Sequence, residues 1–271
     1  MDLNDLYRKI NLQPEIINKI ECFLKTYDIS QIDNQLNGFL KEESAYFTYE
    51  KLNEFFKDEK DNTAILTCYL LTCLKVYEEY KKEGISEDIF IDTMKCFTRF
   101  IDECKEKTGR YDFDRPWWTH KQVSQVIYRI GELEYEFLEK EKLISIHIPS
   151  DAVLSKENLK ESFSKLFNFV KQHKVEYTKS KVICDTWLLS LTLKELLPEQ
   201  SKIRNFMDCF DIVCFNENND SCFEWVFKCK HHKDFEQLPE NTSLQKKVKQ
   251  LMIQGKHIGS ATGYLKEQYY E

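Results

Sequence analysis

The side chains best suited to acid–base chemistry lie in the second half of the sequence. Asp185 stands in the apolar run 183–187, where loss of solvent would strengthen a carboxylate as a proton acceptor. Glu134 alternates with apolar residues between Glu132 and Glu136, so the three carboxylates share one face of a predicted strand and would attract a cationic amine. We therefore expect Asp185 or Glu134 to act as a general base. The alternatives are a hydrogen-bonded carboxylate at a strand end and a solvated strand face.

Three other residues have the chemistry of a catalytic or ligand-binding group. Tyr264 follows Gly263 in an end segment expected to be flexible, and it is a candidate general acid. Cys184 is a candidate nucleophile, although no histidine is close to it in sequence. His147 lies near the end of a predicted strand, where it is suited to act as a base or to contact a bound thioester. A packed tyrosine, a buried thiol and a structural histidine are the respective alternatives.

A predicted helix that starts after Ser155 is a candidate anion site. Ser155 is a favourable N-cap residue, and the N–H groups and the positive dipole end of a helix start attract phosphates. Glu157 in the first turn already complements that dipole and would repel a phosphate. The preceding loop, residues 149–155, contains no glycine that would let a backbone approach a phosphate closely. An ordinary capped helix is the alternative interpretation.

Two clusters near the C-terminus were also considered as ligand sites. The first cluster has metal-ligating residue types: Cys222, Cys229, His231 and His232. Six residues separate its cysteines and its histidines are adjacent, so the spacing fits no familiar zinc site and we predict no metal. The second cluster has seven lysines and three carboxylates between residues 226 and 257, a local charge of +4. These lysines would either contact phosphates or form a solvated helix face.

Composition excludes several classes of protein. The chain has 271 residues with 42% hydrophobic and 31% charged, but only 7 glycines and 5 prolines, which argues against collagen-like and disordered proteins. Neither glycine-rich nucleotide motif, G-x-x-x-x-G-K-[ST] or G-x-G-x-x-G, occurs. A net charge of −7 predicts no general attraction to nucleic acid or anionic membranes. The apolar stretch 64–74 is too short to cross a bilayer. Ten cysteines in a chain without a recognisable signal sequence lead us to expect a reduced, cytoplasmic protein.

The pattern of apolar residues predicts two domains, 1–110 and 111–271, of which the second is α/β or α+β. The first is all-helical, with apolar residues at three-to-four spacing and one long helix from Ser86 to Gly109. An aromatic connector with Trp117 and Trp118 follows, then a short helix at 121–130. Period-two alternation predicts a hairpin of strands 132–138 and 143–148. The remaining predictions are helices at 156–172, 201–210 and 243–253 and strands at 181–187, 212–215 and 223–228.

Several motifs resemble those of a bacterial acyltransferase-like family that pairs a helical N-terminal domain with a GNAT-like C-terminal domain. The resemblance covers roughly residues 111–265 and is carried by RIGELEYE at 129–136, HIP at 147–149, CDTWLL at 184–189, LP at 197–198 and LPENT at 238–242. It implies a mixed sheet with two splayed central strands that admit acyl-CoA. It also implies acyl transfer, acetyl or longer, from coenzyme A to an unidentified small-molecule amine.

The same resemblance assigns expected positions to the coenzyme. Strands 143–148 and 181–187 would be the splayed pair and the helix after Ser155 would face the pyrophosphate, so we expect His147, Ser155, Cys184 and Trp187 to contact acyl-CoA. The family's phosphate-loop motif, [QR]-x-x-G-x-[GA], is absent from the loop before that helix. This departure supports the alternative function, a non-catalytic GNAT-like binding or interaction module.

Overall fold

The structure is a computed structural model that describes residues 1–229 and 234–270. The chain consists of two compact units, Met1–Ile130 and Gly131–Glu271. The boundary predicted at residue 110 falls inside the first unit, between two of its helices. None of the helices in the described part of the chain combines the length and the apolar character needed to cross a lipid bilayer.

The first unit is helical, and it ends in one short strand. Helix α5 is its centre, because apolar side chains surround nearly the whole of its first three turns and are buried. The elements are α1 (Leu3–Lys9), α2 (Pro14–Thr26), α3 (Asp33–Leu36), α4 (Glu42–Phe55), α5 (Thr63–Lys82), α6 (Glu87–Met94), α7 (Cys96–Thr108), α8 (Pro116–Val123) and β1 (Ile127–Ile130).

Two predicted helices of this unit were wrong in extent. The single helix expected from Ser86 to Gly109 is two helices, because Lys95 ends α6 and α7 begins at the next residue. The apolar spacing continues across Lys95, so the sequence pattern does not indicate the break. The helix predicted at 121–130 ends at Val123, since Gln125 adopts a left-handed backbone with φ of 61°. The following strand β1 is buried at all four positions and therefore shows no alternation.

In its described residues, the second unit contains a mixed sheet and five α-helices. Its strands lie in the order β2-β3-β4-β6-β5; β3 and β4 are parallel and the other neighbours are antiparallel. The elements are β2 (Leu133–Leu138), β3 (Leu143–His147), α9 (Lys156–His173), β4 (Val182–Thr186), α10 (Leu191–Leu196), α11 (Lys202–Met207), β5 (Phe210–Asn216), α12 (Cys222–Phe227), α13 (Ser243–Ile253) and β6 (Ser260–Leu265). The predicted hairpin is therefore confirmed.

Two further predictions fail near the C-terminus. The strand expected at 223–228 is helix α12, whose buried residues Phe223, Val226 and Phe227 have helical three-to-four spacing. The segment expected to be a flexible end forms strand β6, which lies between β4 and β5. Glycine is required at position 263, because a Cβ there would come within 3.0 Å of the Phe210 Cβ on β5.

Helix α9 packs on one face of the sheet. Leu133, Tyr135 and Phe137 of β2 are buried on that face, and the Tyr135 hydroxyl lies 2.8 Å from the Ser162 hydroxyl of α9. The opposite face of β2 carries the row of glutamates. The alternation of apolar and charged residues along β2 thus separates the face packed on α9 from a face that carries carboxylates.

Gly131 allows the turn before β2 to approach α9. Its φ is 66°, and a Cβ there would lie 3.1 Å from the Ser162 backbone. We predict that Gly131→Ala lowers the free energy of unfolding by about 3 kcal/mol, the sum of a left-handed-backbone cost and an overpacking cost. Gly255→Ala is the matched control, because Gly255 has φ of 72° and no atom within 4 Å of such a Cβ, so its loss is expected to be only about 1–2 kcal/mol. Denaturant unfolding measures both, and equal losses would contradict the contact.

Candidate active site

Strands β3 and β4 separate after two registered residue pairs. Ile144 pairs with Val182 and Ser145 with Ile183, and no later residue of either strand has a partner across this ladder. Each strand remains paired on its other side, β3 up to His147 opposite Glu134 and β4 up to its last residue. A gap therefore opens between the carboxyl ends of the two parallel strands.

Main-chain groups face this gap. Ile144 N donates to Lys181 O, so by the alternation of a parallel ladder the Ile146 carbonyl and the Asp185 N–H point into the gap. The Cys184 thiol donates to the Ile146 carbonyl at 3.5 Å. A thiol is a weak donor, so this carbonyl is only partly satisfied by the protein itself. The gap thus offers an unmatched strand edge to a ligand that carries amide groups.

His147 and Glu136 form a hydrogen-bonded pair beside the gap. The distance from His147 Nε2 to Glu136 Oε2 is 2.7 Å. Glu136 is only 7% exposed, whereas the side chain of His147 is 30% exposed. A buried carboxylate that pairs with one ring nitrogen fixes the orientation of the imidazole and favours its protonated form.

The face that carries this pair also carries other polar groups. Glu134 lies directly opposite His147, and Ser145 lies between Glu136 and Ile183 in the register. Glu134 is 3% exposed, so the row of glutamates is not the solvated face that was the alternative interpretation. The described structure therefore brings Glu134, Glu136 and His147 together at the end of β3.

The other candidates are placed on or next to β4 and β6. Asp185 is exposed, so the apolar neighbours that suggested a desolvated carboxylate do not enclose its side chain. Tyr264 lies opposite Ile183 on the same face as His147, two strands away from it. Trp187 follows β4 in a short 3-10 turn and is partly buried. Cys184 is fully buried, which argues against a nucleophilic role.

The start of α9 is organised as predicted, with one addition. Ser155 Oγ accepts from Asn158 N at 3.2 Å, which confirms the N-cap. Glu132 reaches this region from the turn before β2: its carboxylate accepts from Val153 N and from Asn158 Nδ2, both at 2.8 Å. The loop that lacks glycine is therefore held by an internal carboxylate.

Two lysines of the C-terminal clusters make contacts within the described part of the chain. Lys247 donates to the Leu196 carbonyl, and Lys249 donates to the Leu238 carbonyl and pairs with Glu240 at 2.7 Å. These contacts favour a structural role for both lysines. Of the predicted cluster of metal-ligating residue types, His231 and His232 lie outside the described residues, as do Lys230 and Lys233 of the lysine group. Within residues 1–229 and 234–270, no group of three or more metal-ligating side chains occurs.

Family models and solved structures agree with this architecture. A model described as GNAT-like C-terminal domain matches residues 108–265. The chain belongs to this GNAT-like family. A second model, N-acyltransferase N-terminal domain, matches residues 1–125, so the expected pairing of a helical N-terminal domain with a GNAT-like C-terminal domain is confirmed. No protein of curated function matches the sequence.

Solved structures of acyltransferases share the fold over nearly the whole chain. One, in complex with decanoyl-CoA and teicoplanin, has a TM-score of 0.76 at 19% identity and aligns with 97% of this chain and 86% of its own. Another, with CoA and 10C-teicoplanin, has a TM-score of 0.76 at 20% identity and coverages of 97% and 87%. A third, with decanoyl-CoA, has a TM-score of 0.72 at 17% identity and coverages of 98% and 99%. The expected GNAT-like fold class is thereby confirmed.

Sequence reasoning left two contributors to the GNAT-like site without a role. In the sequence Glu136 is one of a row of acids, and nothing in the sequence connects Glu132 with the α9 loop. The signal for Glu136 was its position on the same strand face as Glu134, in a hairpin whose other strand ends at His147. No sequence signal indicated the contact of Glu132, because its partners follow it by 21 and 26 positions.

The burial of Cys184 leads to a prediction about thiol reactivity. Burial raises the pKa of the Cys184 thiol, and the nearby charge of Asp185 raises it further. Because alkylation requires the thiolate, we expect iodoacetamide at neutral pH to modify exposed Cys22 and Cys214 at least about 100-fold faster than Cys184. Peptide mass spectrometry over time measures the rates. Modification of Cys184 as fast as Cys214 would contradict its burial, and labelling in denaturant is the positive control.

Proposed function

We propose that the protein transfers an acyl group from a coenzyme A thioester to an amine, with His147 as general base. The observation that carries this proposal is the 2.7 Å pair of His147 and Glu136 beside the gap between β3 and β4. The pair supplies a proton acceptor, and the gap supplies a strand edge for the donor. The family match and the shared fold with acyltransferases support the same reaction class.

The gap fits the pantetheine arm of the donor. That arm contains two amide groups, which pair with a strand edge as a peptide would. The Ile146 carbonyl accepts from one amide, and the Asp185 N–H donates to a carbonyl of the arm. The Cys184 thiol gives up a weak hydrogen bond when this happens. Asp185 thus contributes through its backbone, and Cys184 and Trp187 lie along the same strand and its following turn.

Glu136 and His147 work as a unit in the proposed reaction. In the proposed mechanism the Glu136 carboxylate holds the imidazole through Nε2, and Nδ1 is the proposed acceptor of the amine proton. As Nδ1 takes a proton, the buried carboxylate stabilises the resulting imidazolium. Because Glu136 is shielded from water, that stabilisation is stronger than it would be at an exposed site.

The bond changes follow from these positions. The amine lone pair attacks the thioester carbonyl carbon, a C–N bond forms and the C–S bond breaks. His147 accepts the proton that the amine loses, and the thiolate leaves as coenzyme A after it is protonated. Tyr264, on the same sheet face, is the proposed donor of that proton. Glu134, opposite His147, is the proposed second carboxylate that attracts a cationic amine; this amine first releases one proton to water, which frees the lone pair for attack.

The acceptor proposed is a small molecule with a primary amine. Two of the similar acyltransferase structures contain teicoplanin or its 10C form, so glycopeptides belong in an acceptor panel. Acetyl and longer acyl chains are both candidates for the donor. A panel that combines acetyl-CoA and decanoyl-CoA with simple amines and a glycopeptide covers this range.

We predict that His147→Gln lowers the rate of amide formation about 10²- to 10⁴-fold, the usual contribution of a positioned general base. Glu136→Gln is expected to cost less, at most about 10²-fold, because the imidazole remains but loses its orienting charge. The amide product is measured by mass spectrometry under steady-state conditions. The affinity for acyl-CoA, measured by calorimetry, should stay within about threefold for both variants, since neither side chain binds the arm.

His257→Gln is the matched control. His257 also pairs with a carboxylate, Asp220, at 2.6 Å, but it lies outside the site and should be dispensable. A His147→Gln enzyme as active as the His257→Gln enzyme would contradict the proposed base. Wild-type protein that binds acyl-CoA but forms no amide with any acceptor of the panel would support the non-catalytic binding module instead.

A further inference from the structure

The loop between β3 and α9 already contains an anion, and that anion is Glu132. Its two carboxylate oxygens accept from Val153 N and from the Asn158 side-chain amide, each at 2.8 Å. Val153 precedes the N-cap Ser155, and Asn158 lies in the first turn of α9. One carboxylate thus ties the loop to the helix at the point where N–H groups ordinarily hold a phosphate.

Other hydrogen-bonding groups of this loop are also used within the chain. Ala152 N donates to the Pro149 carbonyl at 3.0 Å, and Ser155 N donates to the Val153 carbonyl at 2.9 Å. Together with Val153 N, three amides of the loop therefore have acceptors. A phosphate that approached them would have to displace a charge-assisted hydrogen bond, which is stronger than a neutral one.

The charges around the loop do not compensate for this. Between residues 148 and 160, the positive charges of Lys156 and Lys160 equal the negative charges of Asp151 and Glu157. With Glu132, which is hydrogen-bonded to this loop, the sum of these charges is −1. These residues of the loop and of the helix start therefore supply no net positive charge for the pyrophosphate of coenzyme A. In contrast, the gap between β3 and β4 offers backbone partners that are indifferent to charge.

We infer that the protein recognises its acyl donor by the acyl-pantetheine arm, to which the nucleotide phosphates add little affinity. The inference rests on the proposed function and specifies its donor: any thioester with this arm is a substrate, whether the arm is attached to a nucleotide or to a carrier protein. Glu132 is the residue that decides this, because it takes the place of the phosphate at the loop.

The test compares two donors that differ only in the nucleotide. Calorimetry measures the Kd of octanoyl-CoA and of S-octanoyl-pantetheine with the full chain. We expect the two constants to agree within about fivefold, a difference of about 1 kcal/mol. A preference for octanoyl-CoA of about 100-fold or more overturns the inference. Failure of both thioesters to bind contradicts the proposed function as well, so the two failures are distinguishable.

Variants of the loop test the role of Glu132 itself. Glu132→Gln removes the internal anion, and we expect octanoyl-CoA to bind about three- to tenfold more tightly while octanoyl-pantetheine stays within about twofold. Glu157→Gln removes a neighbouring charge but keeps the loop contacts, and a smaller gain of about twofold for octanoyl-CoA is expected. Glu139→Gln, in the exposed turn between β2 and β3, is the matched control and should change neither constant.

Two results would overturn the assignment of Glu132. One is an unchanged ratio of the two dissociation constants in Glu132→Gln. The other is a loss of affinity for both donors, which would mean that Glu132 positions the loop for binding and does not compete with phosphate. Thermal unfolding of each variant shows whether a substitution destabilises the fold. If Glu132→Gln is destabilised, the ratio of the two dissociation constants in Glu157→Gln is used to test whether negative charge at this loop weakens the binding of octanoyl-CoA.

Discussion

Strands β3 and β4 stay in register for only two residue pairs, and the arrangement of the site follows from this separation. Beyond Ser145 and Ile183, each strand is held by its outer neighbour alone, so main-chain groups face one another across a gap. Buried amide and carbonyl groups without good partners cost roughly 1–3 kcal/mol each. The weak thiol hydrogen bond from Cys184 to Ile146 offsets only a part of that cost. A ligand with amide groups would recover the remainder, which is a physical reason for the proposed binding of the acyl donor at this place.

The hairpin of β2 and β3 places charge next to the gap. Residues two apart on a strand share a face, so Glu134 and Glu136 lie on one face of β2. Their partners on β3, His147 and Ser145, lie on the same face of the sheet. The opposite face of β2 is packed on α9 and keeps this strand in position. Burial of a carboxylate is unfavourable unless it has partners, and Glu136 gains one in His147. The acid–base pair is thus a consequence of a one-sided, packed hairpin.

Scarcity of glycine determines how the loop before α9 is built. A glycine-rich loop can turn its N–H groups toward a phosphate, whereas residues 149–155 contain none and are closed by local turns and by Glu132. The same carboxylate satisfies a backbone donor and stabilises the helix start through the dipole. The stability of the loop and the weak recognition of phosphate that we infer therefore have one cause.

Sequence patterns by themselves determined the local elements and the class of fold: the helical first half, the hairpin, the capped helix after Ser155 and the GNAT-like resemblance. They misjudged extents where one residue bends the chain, as at Lys95 and Gln125. They also missed β6, because its one glycine, Gly263, is required by close contacts with β5 that local periodicity does not indicate. Only the tertiary structure decided which acid partners His147, that Asp185 is exposed, and that Glu132 holds the α9 loop. Those facts depend on strand register and on side chains far apart in sequence, and local periodicity contains no information about either.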